Sequence, residues 1–334
     1  MDMPQSSGIR IMIDLLPVLT QATRTLQQNM TQWFSAYPSD MPWTVVSDYC
    51  IGDQNKNNDV FSFVVIANHD KTDNICEYIA RVAPRDIKAS KGIPLGLVQY
   101  LNLPVTFSVS FVLDRDSALL RRYAGLESML AFIPDISEYV DMLRSNSPSE
   151  LTYFDEVSVR LKSFRQDLSK PQVNEKLARQ IHLAAAFAAT MFDMVTSSTN
   201  PGYLRWITDR DALVERHDGI VFDLAYLYFL LLRSKEMASS KDGQDRMILD
   251  KPKFFFELPE KEGRHRFDEL VRLPDYLAGT MADLDMKTLS FSREKFGTML
   301  DEVFIDSMNS GVVHVFAKDA DITVRSVQFR SGAT

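Results

Sequence analysis

The sequence predicts an α/β protein with one mixed sheet, flanking helices and a large helical insertion. Between residues 43 and 113, short segments rich in β-branched residues alternate with turns. Between residues 116 and 199 no strand pattern is present, and apolar residues recur at helical spacing. From residue 203 onward, strand and helix patterns resume. We therefore expect residues 41–115 and 201–334 to form the core, residues 116–200 the insertion, and residues 1–40 an N-terminal helical segment.

The segments before the insertion each have a clear signal. Apolar residues at helical spacing predict an amphipathic helix over Ile9–Ala36, either continuous or split near Pro17. An Asn- and Asp-rich turn joins two strands, Trp43–Cys50 and Val60–Ala67, into a hairpin. The remaining elements of this part are a short helix over Lys71–Val82 and a strand over Pro104–Leu113.

Helical periodicity dominates the insertion, where prolines mark the breaks between segments. The expected helices cover Leu119–Phe132, Ile136–Leu143, Phe154–Leu168 and Glu175–Val195. The elements expected after the insertion are strand Tyr203–Thr208, helix Ile220–Arg233, strand Lys253–Leu258, helix Phe267–Leu284, and strands Val312–Ala317 and Ile322–Phe329. We interpret the insertion as a surface for a protein partner or a second copy of the chain.

The chain is acidic, with a formal net charge of −8 and a sequence pI near 5.2. The molecule as a whole therefore exerts no electrostatic attraction on nucleic acid. An enzyme acting on nucleic acid would need a local basic groove, or a metal ion, to offset the phosphate charge. Arg205 and Arg210 are candidates for contact with such a substrate, and further candidates are Arg121, Arg122, Arg264 and Arg266.

Cysteine usage and hydropathy favour a cytoplasmic protein outside the membrane. Cys50 and Cys76 are too few for a disulfide framework and lack the spacing of zinc ligands. Residues 1–10 lack the basic region and apolar core that are typical of a secretory signal, so we do not expect them to act as one. The longest apolar stretches, Leu183–Met191 and Leu224–Leu232, are shorter than the roughly 20 residues that span a bilayer.

The best clue to chemistry is Asp275, which lies in the otherwise apolar helical segment Leu270–Gly279. A carboxylate that points toward the interior is costly unless it is paired or binds a metal. Other acidic residues occur at the ends of expected strands or in a structured loop, namely Asp48, Asp86, and the pair Asp209 and Asp211. If these carboxylates converge, they would form a divalent-metal site for phosphodiester chemistry.

Each acidic residue also has a structural interpretation. Asp48 could bond to the turn that follows its strand, and Asp86 could be a solvated loop charge or a cap. Either Asp209 or Asp211 could be the N-cap of a following turn, and we favour Asp209 as the ligand because it comes first after the strand.

For Asp275 the structural alternative is an ion pair with Arg272 or Arg205. Lys88 could contact a phosphate or pair with Asp86, although most lysines are simply solvated.

The order of these elements resembles a bacterial domain family of unknown function with a ribonuclease H-like fold. The family's closing helix reads Leu-Gln-Leu-Ala-Asp-Leu-x-Ala-Gly, and Leu270–Gly279 matches it best. Asp86-Ile87-Lys88-Ala89-Ser90 resembles the family's Glu-Leu-Lys-x-Ser segment, and Tyr203–Asp209 resembles its mid-chain strand ending in Asp. Asp48 takes the first position of the opening Asp-Glu-Ser-Gly motif, but Tyr49-Cys50-Ile51 replaces the rest.

The resemblance implies a Mg²⁺- or Mn²⁺-dependent nuclease in bacterial defence or a mobile element. Asp48 would bridge two metal ions, Asp209 and Asp275 would be further ligands, and Asp86 and Lys88 would lie at the rim. The replaced opening motif supports an alternative, in which the chain is a catalytically inactive ribonuclease H-like scaffold that binds through its helical insertion.

Overall fold

The computed structural model describes residues 7–115, 124–238, 252–259, 267–318 and 321–332. The fold is mixed α/β, as the sequence predicts: one seven-stranded sheet flanked by helices. Its strands are β1 (Trp43–Cys50), β2 (Asn58–Ala67), β3 (Thr106–Asp114), β4 (Tyr203–Thr208), β5 (Lys253–Glu257), β6 (Ser310–Lys318) and β7 (Asp321–Val327). The expected strands are thus confirmed to within a few residues at each end.

The strand order is β5-β4-β1-β2-β3-β6-β7. Strand β2 is antiparallel to both neighbours, β7 is antiparallel to β6, and the remaining neighbours are parallel. Strands β1 and β4 are adjacent although the helical insertion separates them in sequence. This order places the ends of β1 and β4 side by side in the sheet.

The helices are α1 (Ser7–Trp33), α2 (Thr72–Val82), α3 (Leu95–Leu101), α4 (Leu126–Asn146), α5 (Leu151–Leu168), α6 (Glu175–Thr199), α7 (Ala212–Glu215), α8 (Ile220–Ala238), α9 (Asp268–Asp283) and α10 (Glu294–Met299). Within the described ranges, no helix combines the length and the apolar character needed to cross a membrane.

Helices cover both faces of the sheet, so alternate residues of each strand enter two different hydrophobic clusters. On the first face, α1, α4, α5, α6 and α8 pack on residues such as Val45, Phe63 and Trp206. On the second face, α2, α3, α9 and α10 pack on residues such as Val46 and Ile207. The period-2 alternation of a strand explains this division.

The helices of the insertion pack directly on the sheet. Phe187 of the Ala-rich helix α6 stacks on Phe111 of β3 with ring centroids 4.4 Å apart. Its small neighbours, Ala184 to Ala189, are all buried, which allows this close approach. The insertion therefore contributes to the same hydrophobic cluster as the first face of the sheet.

The helix pattern differs from expectation around Pro134. Pro134 was expected to separate two helices, but it lies inside the single helix α4. A proline costs a helix interior about 3 kcal/mol, and here the buried residues Phe132, Ile133 and Ile136 pack the helix on the core around it. The part of the expected Leu119–Phe132 helix before residue 124 lies outside the described residues, as do Arg121, Arg122, Arg264 and Arg266.

Candidate functional site

The pairing of β1 with β4 places Asp48 and Asp209 side by side on the second face of the sheet. Ser47 is paired in register with Thr208 in this parallel ladder. The backbone N–H of Asp209 donates to Ser47 O at 3.1 Å, which continues the ladder past the end of β4. Because side chains alternate along a strand, Asp48 and Asp209 point to the face that also contains Val46 and Ile207.

Helix α9 covers this face and brings in Asp275. The helix is buried along most of its length, and Asp275 is half-buried. Gly279, one turn further on, allows a close approach of the loop that contains Ile87, since a Cβ on Gly279 would lie 2.9 Å from Ile87 Cγ2. As a result, Asp275 Oδ2 accepts a hydrogen bond from Ile87 N at 2.7 Å.

All five acidic residues singled out in the sequence line one cavity of about 810 Å³, which we call the carboxylate cavity. They are Asp48, Asp86, Asp209, Asp211 and Asp275, and Lys88 lines it as well. The acidic residues come from strand ends, a helix and a loop that lie far apart in the chain. The convergence of these side chains on one cavity is therefore a property of the fold.

Burial and neighbouring negative charges raise the affinity of these carboxylates for protons. Burial raises the pKa of Asp48 well above its usual value, and the negative charges of Asp275 and Asp209 raise it further. Burial also raises the pKa of Asp275, to about 6, and that of Asp209. Of the three, only Asp48 has a pKa that the charges of both others raise, and a side-chain hydrogen bond joins it to Asp275.

Within the described part of the chain, no ion pair neutralises Asp48, Asp209 or Asp275. The arginine expected as a structural partner of Asp275, Arg272, pairs instead with Asp268 at 3.1 Å. The structural ion pair considered for Asp275 is therefore not formed. The charges of Lys88 and Arg210 lower the pKa values of Asp275 and Asp209, but neither residue forms an ion pair with these carboxylates.

The loop that contains Asp86 has a structural role in addition to lining the cavity. Asp86 Oδ1 accepts a hydrogen bond from Ala89 N at 2.7 Å, which is the cap geometry considered above. Asp86 and Lys88 are both exposed, so they lie at the solvent side of the cavity. The charge of Asp86 raises the pKa of Asp275, whereas that of Lys88 lowers it.

The structure distinguishes Asp209 from Asp211. Asp211 is the N-cap of α7, where its side chain accepts a hydrogen bond from Leu213 N at 3.0 Å. It is exposed, although it lines the rim of the carboxylate cavity. Asp209 is half-buried beside Asp48, so it is the better placed of the two for a role in the cavity.

Arg205 and Arg210 are not among the residues that line the carboxylate cavity. Arg205 lies 3.7 Å from Glu257 and donates to Thr72 Oγ1 at 3.3 Å. Arg210 pairs with Glu215 at 2.9 Å and donates to the backbone carbonyl of Pro259. The contact of these arginines with a substrate stays a prediction.

Two lysines of the cavity were missed in the sequence. Lys295 of α10 is buried, and its Nζ donates to Ile87 O at 2.5 Å and to Ser90 O at 2.9 Å. Lys56, in the turn between β1 and β2, pairs with the buried Asp283 at 2.9 Å. In both cases the partner is more than 200 residues away, so no local pattern signals the contact.

The ligand chemistry of the cavity suits a hard divalent cation, because its central side chains offer only carboxylate oxygens. However, among the described residues no group of three or more His, Cys, Asp or Glu side chains is arranged so that it could hold a metal ion. A cation in the carboxylate cavity would therefore require rotation of at least one of these side chains.

No protein-family model matches the chain, and no curated protein or solved structure matches it either. The resemblance to a ribonuclease H-like bacterial family thus stays a prediction that depends on the motifs quoted above. Any functional assignment depends on the chemistry of the cavity.

Proposed function

We propose that this chain is a divalent-metal-dependent nuclease that hydrolyses phosphodiester bonds. The observation that supports the proposal is the position of Asp48, Asp209 and Asp275 in one cavity, half-buried and without an ion-pair partner among the described residues. Uncompensated carboxylates raise the free energy of the folded state. Their presence in this number is explained if a cation compensates their charge during function.

The three carboxylates have different proposed roles. Asp48 would be the bridging ligand, because the charges of both Asp275 and Asp209 act on it. Asp209 and Asp275 would be the flanking ligands. When bound, Mg²⁺ or Mn²⁺ lowers the pKa of a water molecule and stabilises charge on the phosphodiester.

The chain's own residues position this site. The hydrogen bond from Ile87 N fixes Oδ2 of Asp275, and a side-chain hydrogen bond joins Asp275 to Asp48. Lys88 is exposed at the rim, and we propose that it contacts a phosphate of the substrate. The carboxyl groups of Asp48 and Asp275 must lose their protons before a cation binds, so we expect cation binding to strengthen as the pH rises through about 6.

The alternative function is that of an inactive ribonuclease H-like scaffold with binding activity only. The observation that favours it is the absence, among the described residues, of three side chains arranged to hold a metal ion. In this case the helical insertion would bind a protein partner or a second copy of the chain. A cytoplasmic setting, in bacterial defence or a mobile element, is proposed for either function.

The deciding experiment compares cleavage of labelled DNA and RNA by the wild type, Asp48→Asn and Asp275→Asn in Mg²⁺, Mn²⁺ or EDTA. Asp301→Asn is the matched control, because Asp301 is exposed and outside the carboxylate cavity. We expect metal-dependent cleavage by the wild type and the control, and loss of cleavage in both cavity variants. Absence of both cleavage and metal binding in the wild type would favour the scaffold.

A further inference from the structure

A second cavity, of about 690 Å³, adjoins the turn between β1 and β2. More basic than acidic side chains line it. The basic residues are Lys56, Arg115, Lys176 and Arg179, and the acidic residues are Asp59 and Asp114. We call it the basic cavity.

The β1–β2 turn lies between the basic cavity and the carboxylate cavity. Asp53 and Asn55 of the turn line the carboxylate cavity, whereas Gly52 and Gln54 line the basic cavity. Lys56 lines both. A chain of phosphates that crosses the turn would therefore contact both cavities.

Hydrogen bonds from both sides hold this turn. Arg115 Nη1 donates to Asp53 O at 2.6 Å and to Lys56 O at 2.5 Å. On the opposite side, Asn57 N donates to Ala282 O at the end of α9, at 2.8 Å. Because α9 also carries Asp275, the separation between the two cavities is fixed by the fold.

Lys176 supplies the basic cavity with a positive charge that has no ion-pair partner among the described residues. It is exposed at the start of α6. A Cβ on Gly52 would lie 2.5 Å from Lys176 Nζ, so the ammonium group lies directly against the turn. Gly52 also has a positive φ of 76°, which glycine adopts without strain.

We propose that the basic cavity binds a backbone phosphate of the same nucleic-acid strand whose scissile phosphodiester lies in the carboxylate cavity. The inference rests on the proposed nuclease function and extends it to the path of the substrate. The chain carries a net charge of −8, so its attraction for a polyanion has to come from local positive sites such as this one. The proposal also gives the helical insertion a role, because Lys176 and Arg179 belong to it.

The test measures binding of a fluorescent oligonucleotide, single-stranded or duplex, to the full chain in EDTA over a range of salt concentrations. EDTA removes metal-dependent cleavage, so binding is read independently of the nuclease activity. The variants are Lys176→Gln and Lys162→Gln. The second is a matched control, because Lys162 is also an exposed lysine of the insertion and lines neither cavity.

We expect Lys176→Gln to weaken binding several-fold at low salt and to reduce the slope of log K against log salt concentration by about 0.7–0.9, the value for one phosphate contact. The control should bind as the wild type does.

If Lys176→Gln binds like the control, the proposal is overturned, even where the wild type cleaves nucleic acid in Mg²⁺. If Lys176→Gln shows the expected loss while the wild type never cleaves, the phosphate site stands and the nuclease function falls. Binding of inorganic phosphate through Lys176 without any binding of oligonucleotide would also overturn the proposal.

Discussion

Asp275 Oδ2 accepts a hydrogen bond from the backbone N–H of Ile87 at 2.7 Å. This contact joins the helix that covers the sheet to the loop at the rim of the carboxylate cavity. It depends on the absence of a side chain at position 279, one helical turn after Asp275, where Ile87 of the loop lies against the helix. The geometry of the carboxylates is therefore coupled to the packing of a glycine.

Gly279→Ala should disturb this coupling. The new Cβ would lie 2.9 Å from Ile87 Cγ2 and 3.2 Å from Ile87 Cδ1, and Ile87 is buried and β-branched, so it cannot rotate away freely. We expect a loss of about 1–3 kcal/mol in the free energy of unfolding, measured by urea denaturation.

Gly297→Ala is the matched control for this prediction. Gly297 also lies in a helix. A Cβ added at this position would lie 3.7 Å from its nearest neighbouring atom, which is an ordinary van der Waals contact. Here we expect a gain of about 0.5–1 kcal/mol, because alanine favours a helix over glycine. Equal effects of the two substitutions would contradict the proposed close approach at Ile87.

The raised pKa of Asp275 predicts how stability depends on pH in EDTA. In the folded state the Asp275 carboxyl has a pKa of about 6, compared with the usual 3.8. The protonated carboxyl therefore stabilises the fold fully below pH 3.8, and this contribution is lost as the pH rises through 6. At 1.36 kcal/mol per pKa unit the loss is on the order of 2–3 kcal/mol. Asp48 contributes in the same direction.

Urea denaturation of the wild type and Asp275→Asn between pH 4 and pH 7.5 measures this contribution. The amide of asparagine still accepts a hydrogen bond but does not ionise. We therefore expect the variant to become more stable relative to the wild type as the pH rises. A difference that stays constant with pH would show that the Asp275 carboxyl has the same pKa in the folded and unfolded states.

Much of the carboxylate cavity is predictable from local sequence patterns. Alternation along β1 and β4 fixes which face Asp48 and Asp209 point to, and helical periodicity places Asp275 on the covering helix. The lysines of the cavity were missed because Lys56 and Lys295 find their partners at long range. Likewise, the sequence could not show that Arg205 and Arg210 engage Glu257 and Glu215.

Lys295→Met should release the loop at the rim of the cavity. The substitution keeps the apolar stem but removes the donor to Ile87 O and Ser90 O, and each unsatisfied buried carbonyl costs about 1–3 kcal/mol. We expect reduced stability and faster hydrogen exchange of the Ile87 amide. Lys287→Met, at an exposed lysine, is the control and should change neither.

Divalent cations should stabilise the wild type if the proposed function is correct. A ligand that binds only the folded state adds about 2.7 kcal/mol at a concentration of 100 times its Kd. We expect Mn²⁺ to raise the melting temperature at pH 7 and EDTA to reverse the effect. Asp48→Asn should lose the response, while Asp301→Asn should keep it, and an equal response in both would place the cation elsewhere.

Asp209 and Asp211 should differ in the kind of effect that their substitution has. Asp209→Asn removes a charge next to Asp48, so we expect a weaker Mn²⁺ response and a small change in stability without metal. Asp211→Asn keeps the N-cap of α7, because asparagine is as good a cap as aspartate, and should leave both quantities near the wild-type values. Asp211→Ala, by contrast, removes the acceptor for Leu213 N and should cost about 1 kcal/mol with the Mn²⁺ response intact. A loss of the Mn²⁺ response in Asp211→Asn, with none in Asp209→Asn, would reverse the assignment of the flanking ligand.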